Sequence, residues 1–452
     1  MSLRILPLLA LFATGCSSDS TDSTDSTDSG SATDSGDVGS DTGDAGVDCA
    51  DDVCVLSGTI VEDMTLTSDV AWLLRGGVFV GDDTNETVLT IEPGTVIYGE
   101  TSTDGMLVVR RGSKLMAEGT AEAPIVMTSS KAPGSRARGD WGGLILNGRA
   151  PINACADSEG AICEAYGEGA TGWYGGNDAT DSSGVLKYVR VEFAGTLVSP
   201  ENELNGIAFQ GVGNGTTVDY IQVHMNADDG VEFYGGTVNA KHVLVTAVGD
   251  DSLDWTDGWV GMAQYVVLHQ FDDNGDNGIE ADNNGEANDA TPRSAPHLAN
   301  LTIVGSPDSE KSDIGMLLRE GTAAKISHAV VAGFNDACFD IDNSATWAQV
   351  DNGGLAVTNS WLDCAKNFKE DGDFEDDGLS TETTFMGWAG NGTGAAGLDG
   401  AFNLSAPNYV STEDLSIDAA APFADSFFDN VDYIGAIGSE DWTAGWTTHV
   451  VN

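Results

Sequence analysis

Apolar and polar positions alternate along residues 216–284 in three successive runs, TTVDYIQVHMNADDGVEFYGG, VNAKHVLVTAVGDDSLDWTDG and VGMAQYVVLHQFDDNGDNGIEADN. Each run has period two and closes in a carboxylate cluster around a glycine, the pattern of a short strand followed by a tight corner. Aligning the runs puts Tyr220, His242 and Tyr265 in register, at intervals of 22 and 23 residues. Residues 184–194 open the series, and runs around Leu301, His328 and Val357 continue it. A period of this length, built from short strands with almost no helix-length periodicity, predicts an all-β fold. The specific expectation is a single-stranded, right-handed parallel β-helix, a solenoid in which each coil stacks on the last.

The solenoid is expected over residues 58–384. Residues 89–100, 106–120 and 123–130 read as shorter first coils, and residues 154–183, rich in Gly and Asp, as an insertion projecting from one face. The period is lost over 385–452, which is expected to be an irregular C-terminal cap covering the open edge of the last coil.

Composition changes the picture at the N-terminus. Arg4, an apolar run over 5–12 and Ala13-Thr14-Gly15-Cys16 have the form of a lipoprotein signal peptide, residues 1–16, too short to span a bilayer. Cys16 is the expected lipidation site, and this anchor is the expected membrane attachment, on a bacterial outer membrane or cell surface. Residues 17–57 are rich in Asp, Ser and Thr, with no Lys or Arg, and are expected to form a disordered, self-repelling tether.

Charge narrows the partners. With 18 basic against 72 acidic residues the formal net charge is -54, so nucleic acid would be repelled and divalent cations favoured. Setting Cys16 aside leaves Cys49 and Cys54, Cys155 and Cys163, Cys338 and Cys364. Several disulfide connectivities are possible in an exported chain, and proximity favours these three pairs.

The segments RGDWGGLILNGRAPIN, NELNGIAFQGVGNGTTVDYIQV, ADDGVEFYGGTVNAKH and DYIGAIGSEDWTAGWT resemble the shared motifs of a family of exported bacterial parallel β-helix lipoproteins and surface proteins. The resemblance runs from about residue 89 to the end. It implies the fold and an envelope location, and no agreed activity.

Candidate chemistry lies in the three central coils. Asp229, Asp251 and Asn277 share one position, and Glu232, Asp254 and Glu280 share another three residues later. Neighbouring strands lie about 4.8 Å apart, so the second set predicts a column of like charges. At an effective dielectric of about 20, adjacent members repel by roughly 3 to 4 kcal/mol. Such a column must hold a cation, share protons or splay into water.

Oxygen ligands suit Ca2+, with Asp229, Glu232, Asp251, Asp254, Asp276 and Glu280 as expected ligands and Asp228, Asp250, Asp257, Asp272 and Asp282 near enough to assist. Residues 373–378 are a fragment of a calcium loop without its terminal Glu. Shared protons would instead serve a polysaccharide-degrading enzyme, a glycoside hydrolase or lyase. Asp229, Glu232, Asp251 and Asp254 would then be catalytic, Tyr234, Trp255 and Trp259 would stack on sugar, and Arg319 or His269 would supply a lyase's base. The third outcome leaves these residues as turn formers on a solvated face. The expected function is binding of a glycan or a surface protein with structural calcium; degradation of polysaccharide is the alternative.

Overall fold

The computed structural model describes residues 45–155, 162–199, 202–370 and 379–451. The expected leader, Cys16, most of the tether and the 373–378 fragment lie outside these residues. Among the described residues no helix is long and apolar enough to cross a membrane.

Each central coil contributes three strand segments. Thr217–His224 bends at Tyr220, so that residues 217–219 and 221–224 lie on two different faces, and Val231–Tyr234 forms a third. Every segment pairs in parallel with its equivalent one coil on, as in Val218 with Ala240, Val223 with Val245 and Phe233 with Trp255. The result is the expected parallel β-helix, with three ladders running its length. Alternation decides what points inward: Val231, Phe233, Leu253, Trp255, Ile279 and Ala281 are at most 1% exposed. Each such side chain larger than alanine contributes roughly 1.5–3 kcal/mol of burial.

The bend between the first two faces is made by a single residue in the left-handed region: Tyr188, Tyr220, His242 and Tyr265 have φ of 50, 55, 49 and 64°. That conformation costs an L-residue roughly 1–2 kcal/mol. Stacking offsets it, because the same rings lie nearly parallel at 4.4, 4.1 and 4.9 Å between centroids.

Both ends differ from expectation. Gly46–Ala50 pairs antiparallel with Val53–Ile60, closed by the Cys49–Cys54 disulfide, so ordered strand begins inside the segment read as tether. Local charge density there yields to a covalent staple and a hairpin. The cap expected over 385–452 divides in two. Phe385 of the short helix Thr381–Gly387 packs on Phe339 and Phe368 and closes the last coil. The following chain runs back over the second face and the bend beside it instead. Ala436 N–H donates to Thr302 Oγ1 (2.9 Å), Asp429 N–H to Gln264 Oε1 (2.9 Å) and Thr448 N–H to Gln222 Oε1 (2.9 Å). The Cys155–Cys163 and Cys338–Cys364 disulfides are both present.

Inside the expected insertion, Ala165–Gly167 and Gly172–Tyr174 form a hairpin seated on the third face. Tyr174 packs there with Val108, Ile145, Ile152, Ala208 and Tyr234.

Candidate functional site

The third face carries the acidic ladder in the expected register: Glu232 lies opposite Asp254, and Asp254 opposite Glu280. Ala208 precedes the column and Leu317 follows it, so the uninterrupted stack of like charge spans three coils, with Asp340 at the same position one coil beyond Leu317. Where the chain enters this face, Asp229 and Asp251 hold the coils together. Asp229 Oδ1 accepts the backbone N–H of Asp251 (2.9 Å), and Asp251 Oδ1 that of Asn277 (2.6 Å). Asn205 and Asn277 bracket the ladder: Asn205 donates to Glu232 and to Tyr234 Oη (3.1 Å), and Asn277 Nδ2 donates to Glu280 (3.2 Å).

These rows bring carboxylates together in a pattern that repeats with the coil. Oxygens of Asp229, Glu232 and Asp254 lie within 4.8 Å of one another, and so do those of Asp251, Asp254 and Glu280 one coil on. Asp228, Asp229 and Asp250 form a second kind of cluster, repeated by Asp250, Asp251 and Asp276.

Charge is poorly compensated. Among the described residues, ion pairs reach the ladder only at its lower end, where Arg319 meets Glu280 and Asp282 (2.9 Å for the latter). Burial, reinforced by neighbouring carboxylates, holds Asp229, Glu232, Asp251 and Asp254 well above the usual carboxylate range. The same causes push Asp228 to about 7 and Asp276 to about 6, while Glu280 stands at about 7 because burial outweighs Arg319. Asp254 Oδ1, which belongs to the central position shared by two clusters, is buried without a hydrogen-bond partner. Asn205 Oδ1 and Asn277 Oδ1 are unpartnered as well, on residues 2% and 3% exposed. A buried ionised oxygen without a donor costs several kcal/mol, so the arrangement calls for a proton or a cation.

The solvated-face outcome does not hold for Asp229, Glu232 and Asp251, which are 7, 7 and 5% exposed. The sugar-stacking assignment also fails. Trp255 and Trp259 are fully buried inside the helix, Trp259 stacking on Phe233 at 4.0 Å, and Tyr234 is 9% exposed beneath the insertion. Period-two alternation already put Trp255 on the inward side, in step with Leu253. His269 is buried on the second face, bonded to Tyr409 Oη (3.1 Å), and takes no part in the ladder. Asp257 stands at its margin, bonded to Tyr174 Oη (3.2 Å). Asn205 and Glu168 were not legible as site residues, because one precedes the acidic runs and the other arrives on the insertion.

The row Asp228, Asp250 and Asp276 faces an open pocket of about 500 Å³, walled by Glu203, Lys311 and Asp313. The hairpin of the insertion stands beside it. Tyr234 Oη donates to Glu168 Oε2 (2.8 Å), and Gly169 N–H donates to Asn202 Oδ1 (2.9 Å), next to Glu203. Neither the curated proteins nor the solved structures contain a match to this chain. The family described as the pectate-lyase like beta helix domain matches residues 58–447, nearly the whole described body. With its three parallel ladders, the chain belongs to this pectate-lyase-like beta-helix family.

Proposed function

We propose that this chain is a lipid-anchored envelope protein that acts by binding, and that its acidic ladder holds divalent cations, calcium first, through which it engages a glycan or a surface protein. The observation that carries the reading is Asp254 Oδ1, buried, unpartnered and shared by two three-carboxylate clusters. One cation on Asp229, Glu232 and Asp254 and another on Asp251, Asp254 and Glu280 would neutralise the column. Calcium takes six to eight oxygens in flexible geometry, which suits carboxylates supplemented by the free amide oxygens of Asn205 and Asn277.

The test is calorimetric titration of calcium into chelated protein, with melting curves in calcium and in EDTA. Calcium at about 100 times its Kd is expected to add about 2.7 kcal/mol of stability, and Asp254→Asn to remove most of that gain. Absence of binding heat together with an unchanged melting curve overturns the reading. Polysaccharide degradation is the second reading, favoured by Glu280 titrating near 7 beside Arg319. It requires release of reducing ends from a polysaccharide panel, lost in Glu232→Gln.

A further inference from the structure

The aromatic side chains exposed beside the ladder are on the inserted hairpin. Tyr166 and Trp173 are directly opposed across its two strands, 56% and 48% exposed. Their centroids are 5.4 Å apart with planes at 79°, so the rings form an open corner rather than a closed stack. Alternation explains why both face outward: Gly167, Gly172 and Tyr174 are the hairpin's buried positions. At Gly167 a Cβ would meet Gln210 Oε1 at 2.3 Å and Thr171 Oγ1 at 2.4 Å, so glycine lets the ribbon lie flat on the third face.

The hairpin is fixed in place. Asn147 Nδ2 donates to Thr171 O (3.0 Å), Tyr174 Oη donates to Asp257, and Glu168 accepts from Tyr234. Leaving two large rings in water on a rigid pedestal is unusual for a surface that binds nothing. The surroundings select the occupant. Glu164 pairs with Arg111 at the hairpin's base, while Glu168 and Glu203 carry the acidic surface on to the pocket. Carboxylates are acceptors only, so the ligand must bring donors along with an apolar face. A second copy of a chain with net charge -54, or an anionic polymer, meets repulsion.

We propose that Tyr166 and Trp173 form a platform for a neutral pyranose unit, whose C–H face packs on the rings while its hydroxyls donate to the flanking carboxylates. This rests on the reading that the chain acts by binding, and it names the class of glycan. The experiment titrates cellohexaose, xylohexaose, mannohexaose and chitohexaose into the full chain, in calcium and in EDTA, by calorimetry and tryptophan fluorescence. At least one should bind, and Trp173→Ala and Tyr166→Ala should each weaken it at least ~10-fold, with circular dichroism and calcium affinity unchanged. No binding to any of the four, or binding that survives the double variant, overturns the platform. So does a concentration-dependent dimer abolished by that variant, which assigns the rings to a second copy. Calcium binding without sugar binding defeats this inference alone; sugar binding with no calcium heat defeats the cation reading and leaves the platform standing.

Discussion

Two columns of side chains run along this helix at the same pitch and have opposite character. Tyr188, Tyr220, His242 and Tyr265 stack on the bend between the first two faces, and Glu232, Asp254 and Glu280 line up on the third. A solenoid repeats each pair interaction coil after coil, so it multiplies the sign of that interaction. The ring column gains with every coil, and the chain's own tail seals it: Trp446 sits edge-on to Tyr188 and Tyr220, and Trp442 to His242. The carboxylate column loses with every coil and stays beside an open pocket. One column is completed by the chain; on the proposed reading, the other is completed by a bound cation.

The largest way to break this contrast is at the seal. Trp446 is 1% exposed, and Trp446→Ala should cost about 3–5 kcal/mol in urea denaturation. A loss below about 1 kcal/mol would mean that the tail lies on the rings without stabilising them.

Next in size is the effect of pH on the chelated protein. Asp228 and Glu280 titrate near 7 in the fold, above their ordinary values, so between about pH 4 and 7 the native state holds more protons than the unfolded chain. Stability is therefore greatest in acid and falls as pH rises, each such group contributing a slope of about 1.4 kcal/mol per pH unit. A drop of about 2–3 kcal/mol per group from pH 5 to 7.5 is expected in EDTA. Saturating calcium should flatten it. Asp251→Asn keeps an oxygen for the Asn277 N–H, removes one charge from two clusters, and should stabilise the chelated protein at pH 8 by roughly 1–3 kcal/mol. A pH-independent melting temperature in EDTA would show that the ladder carries no net strain.

The period gave the fold and the column register, because strand alternation and coil length are written locally in residues such as Tyr220, His242 and Tyr265. What was not legible depended on which side of a strand a residue faces, or on which distant segment covers it. Trp255 reads as a sugar platform by residue type and is an interior side chain by position. Tyr166 and Trp173 sit in a segment without period, so their exposure follows from where the hairpin lands. The return of the tail over the second face and its bend is likewise unsignalled, since contacts such as Thr448 to Gln222 span half of the chain.

The smallest effect gives the sharpest sign. Asp273 lies a few residues from Asp276 and Asn277, yet it is a surface residue paired with Arg138 at 2.7 Å, and that guanidinium holds its carboxyl below the usual range. Its contribution is present above the ordinary carboxylate pKa and lost as pH falls through its folded value, the reverse of Asp276, which burial pushes to about 6. Asp273→Asn should therefore destabilise the chelated protein at neutral pH, by only about 0.2–1 kcal/mol, and the loss should fade in high salt. Asp251→Asn in the same buffer should stabilise. If both substitutions move the urea midpoint in the same direction, burial and crowding are not what distinguish the ladder from the ordinary acidic surface around it.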